Sequence, residues 1–551
     1  MGGRGAAALR TIGLVAASAV VSGLLLGRWV WPLDAVLRAD LHGDSSLLTW
    51  NLWHMTEAVL AGRDPYVTSL LYAPVGANLA THTYGLGFLP IGLAARAVLG
   101  SAATYPIAAY RLAIWACFSL GLLASFHTLR RLGGAALPAA AGAVAWTFAP
   151  VFRSRAQETH LVALAFLLPL VTLAILRLVE RPTAGRAGAL GASLGACVYF
   201  SEYYSAFLWL GVLLLAGAAA LLREPRERLW TTVTALGVRG GATGLAAFAV
   251  VVSPFLAHWA LSDAQPLRPE QAYFESANLA GFVLPAPVAT PLYRHAPAVE
   301  RLAAEGQRGV GGELLFLGLP AVLFSVVALG ADRRACVRLA WLIGGAFLVL
   351  SLGPELKVLG TNTRLPLPYR LLMEVPPFEM ARAPARLAAI GLWGLVVAMT
   401  AGATAAAVAM QRKAGFAVAL AFQAAVLAWC VAENVAPAPA VGPFAPPPVL
   451  ATLGPGGVLN LPLSPRDSFA MLLQTFHGRP IATGYVSRLS RAQADHVARI
   501  DALLHGEAPA LGAGLQRLGI GNAIVARGTP EADVERLRQA GLRVVDLRGL
   551  P

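Results

Sequence analysis

The sequence predicts an all-α polytopic membrane bundle with a small C-terminal α/β domain, and three observations lead to this fold class. Long apolar runs recur along the 551 residues, of which 57% are hydrophobic and 13% charged. Most runs reach or approach the roughly 20 residues that cross about 30 Å of hydrocarbon. Arginine clusters lie at alternate ends of the runs, as in short cytoplasmic loops of membrane proteins. After residue 433 short strand-like and helical patterns replace the apolar runs.

The net charge of +14 is concentrated at the ends of the apolar runs. The basic clusters are 130–131, 177–186, 223–228, 333–338 and 412–413. This distribution is typical of an oriented membrane protein, so no nucleic-acid partner is expected. The four cysteines lie in or beside apolar runs, which disfavours a disulfide framework or a zinc site.

The first apolar run, residues 11–27, is predicted to be an uncleaved span with the N-terminus inside. Basic residues precede this run, as they also do in a cleaved signal peptide, which is the alternative. The run continues into Trp29 and Trp31 without a small-residue cleavage site, and tryptophans are enriched where a span meets water. A first span that stays in the membrane is therefore favoured.

The alternation of arginine clusters predicts about eleven spans. The segment 84–99 is short, carries Arg96 and is rich in glycine and proline, so it is expected to be re-entrant or interfacial. Twelve spans with one misplaced arginine loop are the alternative. The predicted spans are 11–27, 105–126, 135–151, 160–178, 187–200, 204–222 and 240–261, followed by spans that begin near residues 314, 337, 387 and 414.

This topology divides the chain into a transmembrane domain, 1–433, a proline-rich linker, 434–448, and an extracytoplasmic α/β domain, 449–551. The large outward loops are 34–83 and 262–313. In the C-terminal domain, strands are predicted at 458–461, 522–526 and 543–547, with helices at 491–504 and 531–540. A multi-pass protein of the cytoplasmic membrane is expected, with its C-terminal domain outside.

Two aspartates, Asp40 and Asp44, stand at the start of the first outward loop. Asp44 directly precedes a run with apolar residues at helical spacing, so its simplest interpretation is a helix N-cap. That helix is expected to lie on the outer membrane surface. A cap also fixes a carboxylate in space, so Asp44 remains a candidate site residue.

Two further outward loops carry charge next to the membrane. The sequence Arg153-Ser-Arg155-Ala-Gln-Glu158-Thr-His160 places two guanidinium groups, a carboxylate and an imidazole within eight residues. Snorkelling explains interfacial arginines, but a span start has no structural need for Glu158 and His160. Glu158 and His160 are therefore candidates for ligand binding.

The next short loop contains Glu202 and Tyr203, either as a polar turn or as part of a site. Arg111 lies inside a predicted span, where an unpaired charge costs roughly 2 to 3 kcal/mol. Arg382 and Arg386 lie at the mouth of a later span. Guanidinium groups bind phosphate in a bidentate manner, so the three arginines suit an anionic lipid headgroup.

At this point the chain resembles the C-type (GT-C) glycosyltransferases, which include protein O-mannosyltransferases, the catalytic oligosaccharyltransferase subunit and the aminoarabinose transferase of lipid A. The likeness covers spans 1 to 7 best: a first span, a large outward loop with an acidic start and a helix, and a C-terminal outward domain. Individual stretches are also similar to bacterial members, namely Gly43-Asp44, residues 71–78, Glu158-Thr-His160 and Arg382-Ala-Pro-Ala-Arg386.

The resemblance implies transfer of a sugar from a polyprenyl-phosphate donor to a glycan, lipid or protein acceptor at the outer face of the membrane, with inversion. A phosphate leaving group needs no general acid, so one base and phosphate-binding cations suffice. No cofactor is required, and a divalent metal is unsupported because the second loop lacks Asp-x-Asp. The implied roles are base for Asp44 or Asp40, phosphate binding for Arg111, Arg382 and Arg386, and a sugar or acceptor pocket for Glu158, His160, Glu202 and Tyr203.

Two other function classes stay open. A transporter or flippase for lipid or polysaccharide also uses intramembrane charges, but it usually shows internal repeats and broken helices near the membrane centre, and the sequence has no such repeat. A non-catalytic membrane scaffold with a degenerate site would have a similar sequence.

The topology can be tested with reporter fusions placed after Arg130 and after Asn434. The arginine pattern puts the first point inside and the second outside. We expect the two fusions to report opposite sides of the membrane. Fusions that report the same side would contradict the predicted topology.

Overall fold

The structure, a computed structural model, is predominantly helical, as predicted. It describes residues 3–101, 104–263, 270–285, 291–293, 297, 315–316, 318–375, 378, 382–435 and 439–549. Much of the predicted outward loop 262–313 and part of the linker 434–448 therefore lie outside the described residues.

The helices as far as residue 260 are α1 Gly3–Leu26, α2 Asp44–Leu60, α3 Leu89–Leu99, α4 Tyr105–Arg131, α5 Ala136–Thr147, α6 Pro150–Arg153, α7 Thr159–Val162, α8 Leu164–Glu180, α9 Ala184–Ala196, α10 Glu202–Leu221 and α11 Arg223–Ala260. The later helices are α12 Gln271–Phe274, α13 Leu319–Ala331, α14 Ala335–Ser351, α15 Tyr369–Leu372, α16 Ala388–Ala414, α17 Phe416–Glu433, α18 Ser468–His477, α19 Arg491–His505, α20 Ala508–Arg517 and α21 Glu531–Gln539.

Short strands form four small sheets. They are β1 Ala35–Leu37, β2 Val67–Thr68, β3 Ala77–Asn78, β4 Glu355–Val358, β5 Thr361–Pro366, β6 Val441–Pro443, β7 Gly457–Leu461, β8 Ile520–Val525 and β9 Arg543–Asp546. The pairs β1–β6, β2–β3 and β4–β5 are antiparallel, whereas β7, β8 and β9 form one parallel sheet in that order.

Contacts divide the chain into two compact units. Unit 1 comprises Met1–Gly27, Ile114–Ser253 and Leu267–Ala438, and unit 2 comprises Arg28–Ala113, Pro254–Pro266 and Pro439–Pro551. Unit 2 thus joins the first outward loop to the C-terminal residues. The units do not divide at the predicted 448/449 boundary, and independent folding of 449–551 stays a prediction.

Seven helices are long and apolar enough to cross a membrane among the described residues. They are Leu9–Trp29, Tyr105–Arg131, Thr159–Glu180, Glu202–Leu221, Arg223–Ala260, Pro384–Ala414 and Phe416–Glu433. The other predicted spans correspond to shorter helices, among them α5, α9, α13 and α14. The total of eleven therefore stays a prediction. The segment 84–99 forms the short helix α3, as its length indicated.

In unit 1, α16 is the central helix of the bundle. In its most apolar stretch 94% of the residues are buried. Glycines let its neighbours approach closely, since a Cβ at Gly402 would overlap the carbonyl oxygen of Phe324 on α13, and one at Gly394 would overlap that of Ala340 on α14. Small residues at such crossings are a general means of packing membrane helices.

A second constraint in unit 1 is the proline inside α8. Pro169 has no N–H, so the carbonyl four residues earlier, that of Ala165, lacks its usual helical partner. Trp146 of α5 donates its indole N–H to this oxygen at 2.8 Å. A side chain of the neighbouring helix thus donates a hydrogen bond to the carbonyl oxygen that Pro169 leaves without a partner in α8, as is common in membrane helices.

In unit 2, α2 is largely buried within the protein, and its predicted place on the membrane surface stays a prediction. Polar residues such as Asn51 and His54 are buried as well as the apolar stripe. Trp50 donates its indole N–H to Gln474 Oε1 of α18 at 2.7 Å, and Gln474 Nε2 donates to the carbonyl of Leu70 at 2.8 Å. The C-terminal residues therefore cover the polar side of α2.

The C-terminal residues form the predicted α/β arrangement. The strands β7, β8 and β9 and the helices α19 and α21 match the predicted ones to within one or two residues at most ends. Gly541 follows α21 with φ 81°, a conformation that ends a helix and favours glycine. The sheet is closed on one face by a cluster of buried apolar side chains that includes Leu459, Ile500 and Val534.

An ion pair joins the loop after α2 to the end of α11. His258 lies between two acceptors, with Nε2 2.7 Å from Asp64 Oδ2 and Nδ1 2.7 Å from the carbonyl oxygen of Pro254. Both ring nitrogens face acceptors, so the geometry requires the imidazolium form. Burial raises the pKa of Asp64, but the hydrogen bonds from His258 and from the Tyr66 N–H outweigh it, and the net pKa is lowered.

Replacing Asp64 with asparagine should lower the stability of the folded protein in a pH-dependent way. A carboxylate with a depressed pKa contributes stability above its unfolded pKa, near 3.8, and loses it as the pH falls through the folded value. We expect a lower Tm for Asp64→Asn at pH 7 and a smaller difference from the unmodified protein near pH 3. Asp263→Asn, which changes an exposed aspartate of unit 2, is the control; an equal effect of both changes at both pH values would contradict this role.

Candidate functional site

The second outward loop folds into the tight connection between α6 and α7. Within it, Arg155 Nη1 donates to Glu158 Oε1 at 2.5 Å, and the Glu158 residue is 4% exposed. A carboxylate this deeply buried needs such a partner, because removing a charge from water is costly. The ion pair fixes both side chains at the start of the long apolar helix.

His160 lies two residues after Glu158 and is also buried. Three arginines, Arg386, Arg155 and Arg382, act electrostatically on its ring. Its Nδ1 has no hydrogen-bond partner among the residues that the structure describes. The imidazole can therefore make one further hydrogen bond at this nitrogen.

Tyr203 holds the turn that carries two of these arginines. Its hydroxyl accepts the N–H of Ala383 at 2.9 Å and donates to the carbonyl of the same residue at 3.2 Å. The Arg386 guanidinium lies 5.1 Å from the centre of the Tyr203 ring, and Arg382 Nη1 lies 4.0 Å from Glu275 Oε1. The arginine positions are therefore set by side-chain contacts as well as by the backbone.

These residues of unit 1 form what we call the arginine cluster: Arg155, Arg382 and Arg386 around His160, with Glu158, Tyr203 and Glu275. Three guanidinium groups face two carboxylates, so the cluster carries an excess of positive charge. Such a set of donors suits a phosphate group. Glu202, the first residue of α10, precedes Tyr203 and is half-buried.

Arg111 has a structural environment in unit 2. The residue is fully buried, and it donates from Nε to the carbonyl of Ala35 at 2.7 Å and from Nη1 to those of Trp29 at 2.7 Å and Arg28 at 3.2 Å. It thus binds the backbone where the first span ends. Only Nη2 lacks a partner in the described part of the chain, so its predicted phosphate contact gains no support from this geometry.

At the start of α2, the carboxylate that accepts a backbone N–H belongs to Asp40, whereas the sequence pattern had indicated Asp44. Asp40 Oδ2 accepts the N–H of Ser45 at 2.8 Å, and Ser45 Oγ donates to the carbonyl of Asp40 at 2.7 Å. Asp44 is the first helical residue and Gly43 is the N-cap, so the interpretation of Asp44 as the cap was wrong. The half-buried Asp44 is thus not the carboxylate that satisfies the helix N-terminus.

Gly43 makes this arrangement possible. A Cβ at position 43 would overlap Oδ1 of Asp40. The aspartate can therefore fold back over the helix N-terminus only because glycine stands between the two acids. Asp40, Asp44 and Arg111 belong to unit 2, whereas the other predicted site residues belong to unit 1.

Sequence reasoning missed two charged residues near the cluster. Glu275 faces Arg382, and Glu433 is buried at the end of α17. Glu433 is the one acidic residue of its apolar run, and this isolation was an available signal. Arg153 was noted in its loop but not assigned to the site, although it is only 2% exposed and burial lowers its pKa to about 10.

Potential metal ligands are dispersed in the described ranges. No group of three or more His, Cys, Asp or Glu side chains there lies close enough to hold a metal ion.

No protein family and no curated protein sequence matches the chain. Similar solved structures include the Archaeoglobus fulgidus oligosaccharyltransferase in the apo form (12% identity, 93% of this chain and 69% of that one, TM-score 0.49). Others are ArnT of Cupriavidus metallidurans bound to undecaprenyl phosphate (13%, 97% and 89%, 0.45) and the A. fulgidus oligosaccharyltransferase AglB with an inhibitory peptide and a dolichol-phosphate (13%, 94% and 69%, 0.45). Likenesses of this size do not assign an activity or a substrate to this chain.

Tyr203→Phe tests whether the tyrosine positions the arginines. The change removes both hydrogen bonds to Ala383 and keeps the ring under Arg386, so we expect a loss of about 1 to 3 kcal/mol in stability. We also expect weaker binding of undecaprenyl phosphate, measured on the purified protein in nanodiscs. Unchanged stability together with unchanged binding would show that the hydroxyl does not hold the turn.

Proposed function

We propose that this chain is an integral-membrane glycosyltransferase that moves a sugar from a polyprenyl-phosphate donor to an acceptor at the outer face of the cytoplasmic membrane, with inversion. The observation that carries the proposal is the arginine cluster: Arg155 pairs with the buried Glu158, and Arg386 lies over the ring of Tyr203, whose hydroxyl binds the backbone of the turn that also carries Arg382. The cluster lies at the ends of three of the apolar helices that are long enough to cross a membrane.

The position of the cluster supports a lipid phosphate as its ligand. A polyprenyl chain belongs in the hydrocarbon, and its phosphate belongs at the interface, where span ends meet the outward loops. Glu158 partly neutralises the arginines, which leaves room for one further anion. Charge-assisted hydrogen bonds to phosphate are strong, and they strengthen as charge develops on the leaving group.

The acceptor needs a base. We assign this role to Asp44, the acidic residue that the resemblance to the GT-C glycosyltransferases implies. Asp40, whose carboxylate accepts the N–H of Ser45, is the second candidate. Glu158, His160, Glu202 and Tyr203 then contact sugar or acceptor, and no step requires a cofactor.

Asp44→Asn keeps the size of the side chain and removes its basicity. If Asp44 takes the acceptor proton, sugar transfer from undecaprenyl-phosphate mannose should fall by roughly 10²- to 10⁴-fold, with little change in Tm. Asp34→Asn, an exposed aspartate of the same loop, is the matched control. Full activity of Asp44→Asn would transfer the role to Asp40 or Glu158.

A contrasting variant separates chemistry from donor binding. Arg382→Ala should weaken binding of undecaprenyl phosphate, whereas Arg370→Ala, an exposed arginine of the same outward loop, should leave it unchanged. An unmodified protein that binds the lipid, moves it across vesicles and transfers no sugar would instead support a flippase. A protein that binds no such lipid would support a scaffold.

A further inference from the structure

Helix α11 of unit 1 is too long to be a single span. Its 38 residues, Arg223–Ala260, would extend about 57 Å at 1.5 Å per residue, whereas the hydrocarbon layer is about 30 Å thick. The helix is also interrupted at Gly237, where φ is 57° and ψ is −169°, a conformation that glycine adopts without strain. Residues 223–236 therefore form a helix of their own, which we call the basic helix, and it meets the predicted span 240–261 at a bend.

The basic helix is amphipathic. Pro225 and Thr232, seven residues apart on one face, are buried. The adjacent face carries Arg226, Trp230 and Val233, which follow one another at helical spacing. Trp230 is 61% exposed and Val233 is 48% exposed, so the protein does not cover this stripe. An uncovered tryptophan next to an aliphatic side chain on a basic helix is typical of helices that lie in the membrane interface.

Ion pairs use both carboxylates of the basic helix. Glu227 Oε1 lies 3.3 Å from Nε of Arg223, and Glu224 Oε1 lies 3.1 Å from Nη2 of Arg228. The second oxygen of Glu224 lies 3.8 Å from Nη2 of Arg338, near the start of α14. The two glutamates are thus engaged by arginines other than Arg226.

Arg226 is the arginine of the basic helix that has no ion pair with the described residues, and it is exposed. It lies one turn before Trp230 on the same stripe. In this position the stem of an arginine can lie along apolar surface while its guanidinium reaches the level of the headgroups. Guanidinium groups bind phosphate in a bidentate manner. A phospholipid headgroup next to Trp230 would therefore meet a cation with no competing carboxylate.

We propose that the basic helix lies in the membrane interface and binds anionic phospholipids through Arg226, with Trp230 and Val233 at the boundary of the acyl chains. The arginine pattern puts this helix on the cytoplasmic side. A basic amphipathic helix is attracted to anionic lipids by its charge and held by its apolar stripe. A zwitterionic headgroup carries its own cation, which weakens its attraction to Arg226. The inference does not depend on sugar transfer.

The experiment measures which lipid lies next to Trp230 in the full-length protein. The protein is reconstituted in phosphatidylcholine nanodiscs that contain brominated phosphatidylglycerol or brominated phosphatidylcholine at the same mole fraction, with bromine near the headgroup end of the acyl chain. Bromine quenches tryptophan fluorescence at short range. Because the chain has 12 tryptophans, the contribution of Trp230 is the quenching that is lost in Trp230→Phe made in the same background.

Two variants separate a contact from overall charge. Arg226→Gln removes the proposed ligand of the headgroup. Arg228→Gln removes the same charge from the opposite side of the same helix and is the matched control. Both positions are exposed, so we expect both variants to fold, which thermal unfolding checks.

We expect phosphatidylglycerol to be enriched next to Trp230 by about fivefold over phosphatidylcholine, as one basic residue at an anionic surface allows. Arg228→Gln should keep most of this enrichment, and Arg226→Gln should bring it close to one.

Three outcomes would overturn the proposal. A Trp230 that neither brominated lipid quenches would place the basic helix outside the interface. Equal quenching by the two lipids in the unmodified protein would show contact without selection of the headgroup. Equal losses in Arg226→Gln and Arg228→Gln would reduce the effect to the net charge of the helix. The comparison of lipids in the unmodified protein tests the proposal even where a variant does not fold.

Discussion

The close packing of α16 is the constraint on which the rest of unit 1 depends. Its glycines bring the backbones of α13 and α14 into contact, and the most apolar stretch of the helix is 94% buried. Packed helices of this kind cannot slide without separating. The turn at 382–386 continues directly into α16. The position of Arg386 is therefore set by the packing of α16 in the bundle core. A phosphate held there is held by a rigid element, and Tyr203 fixes the orientation of the turn.

The buried arginines show how such a protein solves one physical problem in different ways. Arg111 is satisfied by backbone carbonyls, Arg155 by a carboxylate, and Arg386 lies over an aromatic ring. Each solution lowers the cost of burying a cation and also restricts what that cation can still bind. Arg153 has a counter-charge at a distance and no such contact in the described residues. Arg153 thus keeps two guanidinium nitrogens, Nη1 and Nη2, without a hydrogen-bond partner among the described residues.

Local patterns were sufficient to predict part of this structure. Strand β7, helix α19 and the glycine after α21 follow from spacing within a few residues, and the apolar runs predict the membrane helices. The burial of α2 could not be predicted, because it depends on the hydrogen bond between Trp50 and Gln474, which are 424 residues apart in the chain.

The residues of the candidate site also include some that the sequence pattern indicated and some that it did not. Residue type and loop position indicated Glu158, His160, Arg382 and Arg386, which are brought together in unit 1. Asp40, and not Asp44, accepts the N–H at the start of α2 because the chain turns back at Gly43. A helical pattern in the sequence does not specify that turn. Glu433 could have been recognised from the sequence, because it is the one acidic residue of its apolar run.

The packing of Asp40 against Gly43 also limits how this sequence can diverge. A carboxylate oxygen occupies the place where a side chain at position 43 would begin. The two positions must therefore change together: a larger residue at 43 requires a shorter one at 40, and the helix must then find another cap. Among related proteins, residues 40 and 43 should therefore vary together, and proteins in which both differ should have a different cap at the start of α2.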